Sequence, residues 1–267
     1  MNNAKRINKN NKNSHFPWYD SYWLYSYVEA KKFILENYPE KLDFFVSSFE
    51  ILKTNQNFKV IELENLLPEE DLDQIKQRIH EIKQEEFEKY EFFDFGRIIK
   101  HDDSFFNKLQ EKICDLVSEK VGEEVECSYN FLSLYNNFGI LNPHIDAVPA
   151  KWTVDLCVEQ SAIWPIYLSK IIPWPEDFIY SENWIEEVKN NSANEFKAYN
   201  LSPGKALIFG GSSQWHYRDR IQNESKTNFC NLIFFHFIPK GTKDLCYPKK
   251  WADLFDIPEL NDIVIDL

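Results

Sequence analysis

Apolar positions follow two regimes along the chain. Up to about residue 121 they recur at helical spacing, and from 125 to 238 they alternate or run together in short blocks. In the first regime Trp23, Tyr27, Phe33 and Ile34 predict a helix over 22–38. Residues 58–63 alternate and predict a short strand. A helix is expected from Pro68, which suits a first helical position, with Glu69, Glu70 and Asp71 in its positive first turn. Leu72, Ile75, Ile79, Ile82 and Phe87 continue that spacing. A further helix is expected over 104–121, capped by Asp102, Asp103 or Ser104 and stopped by Gly122. In the second regime strands are expected at 125–135, 153–158, 163–168, 206–209, 214–217 and 227–238, interrupted by a helical stretch at 175–189. Helices first and strands afterwards predict an α+β chain whose second half is a sandwich or barrel.

The organisation expected from this is a flexible arm over 1–16 and a helical extension to 56, then a β-rich domain over 57–240, then a tail over 241–267 that packs back through Trp251, Leu254 and Phe255. Aromatic residues are 16% of the 267, which is ample material for a large core. The seven glycines form neither G-x-G-x-x-G nor G-x-x-x-x-G-K-[ST], and G-x-S-x-G is absent too. Phosphate-cradling loops and the nucleophile-elbow hydrolases are thereby set aside.

Charge and cysteines narrow the class further. The net charge is −13, which repels phosphate backbones and anionic membranes, so neither nucleic acid nor a membrane is expected as a partner. Five scattered cysteines without a C-x-x-C fit a reducing compartment better than a disulfide scaffold or a cysteine zinc site. The Asn/Lys-rich start lacks the apolar stretch of a secretory signal, and no apolar run reaches the ~18 residues of a membrane span. The expectation is a soluble cytoplasmic protein, its oligomeric state open.

Candidate chemistry lies among six histidines: 15, 80, 101, 144, 216 and 236. His80 opens an H-E-x-x pattern that lacks its second histidine. His144-Ile145-Asp146 is an H-x-D. On an extended segment residues two apart point to one side, so imidazole and carboxylate can meet at one ion. His101-Asp102-Asp103 matches too, but just before a helix, where capping accounts for the aspartates. His216 is the third candidate ligand. Two imidazoles and one carboxylate on one face suit non-haem Fe(II) and leave positions open. The plain alternative is that His144 and His216 are partly buried histidines with ordinary hydrogen-bond partners. His236 reads as a packed strand residue.

Tyr135, His144-Ile145-Asp146, Ser202-Pro203-Gly204-Lys205-Ala206-Leu207-Ile208-Phe209 and His216, with the strand that follows, resemble the Fe(II)/2-oxoglutarate-dependent oxygenases. The entry over 58–62 followed by Leu66-Leu67-Pro68 is similar to the prolyl-hydroxylase-like branch. The resemblance implies a double-stranded β-helix, or jelly roll, with flanking N-terminal helices. It implies Fe(II) held by His144, Asp146 and His216, with 2-oxoglutarate and O2 as co-substrates. The implied reaction hydroxylates a C–H bond and releases succinate and CO2; related halogenases lack the carboxylate ligand that Asp146 supplies here.

The distal carboxylate of 2-oxoglutarate needs a cation. Arg218 lies two residues past His216 on the same face, ~7 Å along the strand, and its fork suits a carboxylate. Lys226 sits near the spacing at which many family members place their basic residue. Arg220 is a third candidate, close to the turn. Tyr135 is expected either to bond the same carboxylate or to be a core tyrosine. Trp152, Trp164, Tyr167, Trp174 and Trp184 are expected to be core or lid surface. The substrate implied is a small molecule or an amino-acid- or peptide-derived compound. A prolyl or asparaginyl side chain of a protein, a non-catalytic jelly-roll binding module and a cupin-type metal enzyme without 2-oxoglutarate stand as alternatives.

Overall fold

The computed structural model describes residues 16–18, 21–177, 181–221 and 227–264. Residues 1–15 of the expected arm, and Lys226, lie outside the described residues. Helices α1 (Ser21–Asn37) and α2 (Leu42–Ser48) come first. Strand β1 (Ile61–Leu63) and helix α3 (Glu69–Glu81) follow, then α4 (Phe92–Phe95), β2 (Arg97–His101) and α5 (Ser104–Val121). The β-rich part runs through β3 (Val125–Tyr135), β4 (Leu141–His144), β5 (Trp152–Gln160) and β6 (Ile166–Leu168). It continues with helix α6 (Trp184–Asn190), then β7 (Lys197–Tyr199), β8 (Ala206–Phe209), β9 (His216–Arg218) and β10 (Cys230–Pro239). Short helices α7 (Trp251–Leu254) and α8 (Leu260–Ile263) close the chain. No described helix is long and apolar enough to cross a membrane.

Local chemistry explains the ends of α5. The Asp103 side chain accepts from the Phe105 N–H, and Gly122 takes the left-handed conformation (φ 74°) that ends the helix. At α3 the expectation shifts by one: Pro68 is the N-cap residue and Glu69 the first helical one. Helix α3 stops at Glu81, so Phe87 is not on it, although Phe87 is buried in the same cluster as Ile75. Strands β3 and β8 match the expected limits, whereas β2, β4 and β7 carry no clear pattern in the sequence.

Among the described residues ten strands form two sheets. One has six strands in the order β1-β8-β5-β10-β3-β2, the other four in the order β4-β9-β6-β7, with every pair antiparallel. Mixed helices and antiparallel sheets thus bear out the α+β reading. The six-stranded sheet is buried on both faces. One face sends Val154, Leu156, Ile233 and Phe235 against Ile75, Phe106 and Ile113 of α3 and α5. The other sends Tyr135, Cys157, Leu207, Leu232 and Phe234 against Trp164, Ile166 and Leu168 of the smaller sheet. Each such side chain contributes about 1.5–3 kcal/mol by leaving water.

A third apolar cluster joins both ends of the chain. Trp23 and Tyr27 of α1 pack with Phe45, Phe49, Trp174, Trp251 and Phe255, with Trp23 edge-on to Trp251 at 5.4 Å and to Trp174 at 5.1 Å. The tail therefore packs back through Trp251 and Phe255, but Leu254 is 42% exposed and takes no part. All five cysteines are free thiols.

Candidate metal centre

Strand β4 lies beside β9 with His144 opposite His216, and the two imidazole centroids are 4.0 Å apart. Their chain neighbours anchor them. Ile145 and Trp215 point the other way, into the aromatic cluster around Trp23, where Trp215 meets Trp18 at 4.7 Å. Each ring is then oriented by its own backbone. Nδ1 of His144 lies 2.9 Å from the Asn142 carbonyl, and Nδ1 of His216 lies 3.0 Å from the Gln214 carbonyl. A carbonyl only accepts, so each Nδ1 carries a proton, and in the neutral ring each Nε2 keeps its lone pair for an ion.

Both Nε2 atoms lie close to one carboxylate oxygen. Asp146 Oδ1 lies 3.5 Å from His144 Nε2 and 3.3 Å from His216 Nε2. Burial opposes ionisation of Asp146, but His216 and His144 outweigh it and hold the carboxyl well below its usual range. Conversely, burial opposes charging of His216, and the Asp146 carboxylate reverses this and raises it. The other oxygen, Oδ2, accepts from Thr153 Oγ1 at 3.0 Å, and the Asp146 N–H donates to the Gly211 carbonyl at 3.0 Å. Gly211 is required here: a Cβ on it would stand 2.4 Å from Asp146 Oδ2 and 2.3 Å from Thr153 Oγ1.

This donor set fits a divalent cation. His144, Asp146 and His216 offer ligand atoms within 4.8 Å of one another. Two donors about 2.1 Å from one ion and at right angles are about 3 Å apart, close to the spacings seen. Two neutral imidazoles and one carboxylate bound through one oxygen are the ligands of the facial arrangement used by non-haem Fe(II), with the remaining positions open.

Arg218 is a buried side chain, 1% exposed, rather than a solvated charge. Its Nη2 donates to Asp155 Oδ2 at 2.6 Å, its Nη1 donates to the Trp164 carbonyl, and its guanidinium lies 5.0 Å from the Trp164 ring centre. Tyr135 is buried as well and meets Trp164 at 4.8 Å. Its hydroxyl accepts from Arg97 Nη1 at 2.7 Å, and Arg97 also pairs with Glu91. Arg220 is exposed and donates to the Phe138 carbonyl at 3.1 Å, away from the histidines. His236 is packed between strands, stacked on Tyr129 at 4.2 Å, with Nδ1 3.1 Å from Thr153 Oγ1; burial pushes its imidazole down to about 4. His101 bonds Glu88 at 2.9 Å, and Asp103 caps α5. Trp164 and Trp174 are buried core residues.

Four residues at or near this site escape a motif-based reading: Arg97, Thr153, Asp155 and Gly211. For two of them a signal exists. Thr153 and Asp155 are the polar positions of an otherwise apolar run, Trp152–Val158, and a buried polar side chain requires a partner.

No family model matches the chain, and no curated protein matches it. Solved structures do. The non-haem α-ketoglutarate-dependent epimerase SnoN of nogalamycin biosynthesis superposes with a TM-score of 0.52 at 9% identity, over 73% of this chain and 84% of SnoN. SnoN in complex with Fe3+, α-ketoglutarate and nogalamycin RO gives 0.53 over the same shares. HygX from Streptomyces hygroscopicus, with nickel and 2-oxoglutarate bound, gives 0.50 at 8% identity, over 73% of this chain and 86% of HygX. Such identities speak to the fold and do not single out the prolyl-hydroxylase-like branch. The fold that carries His144, Asp146 and His216 is shared with SnoN and HygX.

Proposed function

We propose that this chain is a non-haem Fe(II)/2-oxoglutarate-dependent dioxygenase on a double-stranded β-helix (jelly-roll) core. It hydroxylates a C–H bond of a small molecule or of an amino-acid- or peptide-derived substrate, with release of succinate and CO2. One observation carries this reading: both histidine Nε2 atoms and Asp146 Oδ1 cluster within ligand spacing of one another, with Nε2 to Oδ1 distances of 3.3 and 3.5 Å. These three atoms would hold Fe(II). With 2-oxoglutarate and O2, the bound ion supplies the oxidising chemistry.

The chain's own residues orient and desolvate. The Asn142 and Gln214 carbonyls fix the two ring tautomers, and the Trp23 cluster behind Ile145 and Trp215 restricts their movement. The side chains of His144, Asp146 and His216 are 11%, 10% and 5% exposed, which supports a small reacting group entering a nearly closed site. Arg218, with Tyr135 nearby, is the first candidate for the distal carboxylate of 2-oxoglutarate, and Lys226 is the second. A carboxylate reaching Arg218 meets Asp155 as a competitor. Burial already pushes Asp155 up, which favours its neutral form when a second carboxylate arrives.

The test is anaerobic addition of Fe(II) and 2-oxoglutarate. A weak visible charge-transfer band is expected, absent from His216→Ala, with succinate formed once O2 is admitted. A protein that chelates neither would remove this function. Weaker 2-oxoglutarate binding in Arg218→Lys than in Lys226→Ala would favour Arg218 as the anchor, and the reverse would favour Lys226.

A further inference from the structure

The side chains of Asp146, Thr153 and His236 form a chain of hydrogen bonds whose direction the structure fixes. Thr153 Oγ1 lies 3.0 Å from Asp146 Oδ2 and 3.1 Å from His236 Nδ1. The Asp146 carboxylate accepts only, so the single Thr153 proton points to it; the other acceptor within reach, the Ala150 carbonyl, is at 3.4 Å. The Thr153 oxygen is then left to accept, and His236 must donate through Nδ1–H. The far end of the chain gives the same answer independently. His236 is 2% exposed and its Nε2 has no partner, so a proton on Nε2 would be a buried, unbonded donor. Strand register produces the arrangement: Thr153 of β5 stands opposite His236 of β10.

From this geometry we infer that Thr153 and His236 are positioning residues that keep Asp146 a one-oxygen ligand. The relay runs His236 Nδ1–H to Thr153 Oγ1, and Thr153 O–H to Asp146 Oδ2. It occupies Oδ2 and leaves Oδ1 facing the two Nε2 atoms. Gly211 completes the device, because its missing Cβ is the space in which Oδ2 and the threonine hydroxyl meet. A carboxylate without this restraint is free to rotate and offer both oxygens, filling a position that the co-substrates need. Neither residue is among the three that would hold the ion, and both act through Asp146. The inference rests on the proposed metal site and adds to it what sets the ligand's mode and the site's affinity.

The relay is tested with Co(II) as the probe under anaerobic conditions, by calorimetric titration and visible absorption of the full chain. Thr153→Val keeps the shape and removes the hydroxyl. It is expected to bind Co(II) about 10-fold or more weakly, the range usual for such outer partners, with an altered ligand-field spectrum. Thr153→Ser restores the hydroxyl and should restore both. His236→Leu should weaken binding, whereas His236→Asn, which keeps a donor at the Nδ1 position, should recover most of it. Far-UV circular dichroism and thermal midpoints identify variants that are folded. Folded Thr153→Val with wild-type Co(II) affinity and spectrum would overturn the relay, as would Thr153→Ser failing as badly as Thr153→Val. Wild-type protein that binds no Co(II) would instead remove the metal site, and the relay with it.

Discussion

Arg218 and Asp155 form an ion pair with almost no water access: the side chains are 1% and 0% exposed and 2.6 Å apart. Arg218→Met removes the cation and leaves the carboxylate buried. Two routes give the size of the penalty. Breaking a buried pair on one side costs about 3–5 kcal/mol. Alternatively, the stranded Asp155 takes a proton, which at pH 7 costs at most about 1.36 × (7 − 3.9), or about 4 kcal/mol, measured from an ordinary aspartate, and less relative to a wild type in which burial already pushes Asp155 up. The second route adds a signature. A carboxyl whose folded pKa is raised has its stabilising contribution fully present below the unfolded value, and loses it as pH rises through the folded value. The penalty of Arg218→Met relative to wild type should therefore shrink by up to about 1.4 kcal/mol per unit from pH 7 towards pH 4. Urea unfolding of both proteins at pH 5, 6 and 7 measures it. The double variant Arg218→Met/Asp155→Asn, which has no charge to strand, should recover at least half of the loss at pH 7. A penalty under about 1 kcal/mol that is flat with pH would mean that Asp155 is reached by water or by another cation, and the reasoning would fail.

Other expectations follow from the same geometry. Gly211→Ala puts a methyl group into the space shared by Asp146 Oδ2 and Thr153 Oγ1, so Co(II) titration should show at least a 10-fold loss of affinity. His236, held down to about 4, stays neutral in the fold while the unfolded chain takes up a proton below about 6.5. That difference removes up to about 3 kcal/mol of stability as pH falls from 6.5 to 4, so His236→Phe should show a correspondingly smaller loss over this window in chemical unfolding. Asp103→Ala deletes the α5 cap and the carboxylate that Arg78 Nη2 bonds at 2.8 Å, and should lower urea stability by about 1–2 kcal/mol without changing Co(II) affinity.

The strands hidden from the sequence share a position in the fold. β2, β4 and β7 are each at the edge of a sheet. An edge strand needs only one neighbour and tolerates residues that interrupt a pattern. Hence β4 reads Leu-Asn-Pro-His and still pairs with β9, and its proline costs no ladder bond that an inner strand would need. By contrast β3, β5, β8 and β10 lie inside the six-stranded sheet, and their apolar and aromatic positions were legible. For α5 both ends were legible, because cap and stop are single residues with local geometry.

The site divides along the same line between local and non-local information. His144 and Asp146 share a three-residue motif, and His216 follows a recognisable strand, so all three were visible. What register alone supplies was not. Thr153 reaches His236 because β5 pairs with β10, and Arg97 reaches Tyr135 because β2 pairs with β3. Yet the interior of β5 carries a partial record of its role. Val154, Leu156 and Val158 face the helices, whereas Thr153, Asp155 and Cys157 alternate with them on the side facing the smaller sheet. On a strand buried on both faces, alternation no longer separates inside from outside. Polarity that persists there marks the face with hydrogen-bonding work to do, since an unpartnered polar side chain would cost about 1–3 kcal/mol. Thr153 bonds the candidate ligand Asp146, and Asp155 bonds Arg218. A polar residue at every second position of an apolar strand is thus a physical indicator of the functional wall of a sheet, read without any motif.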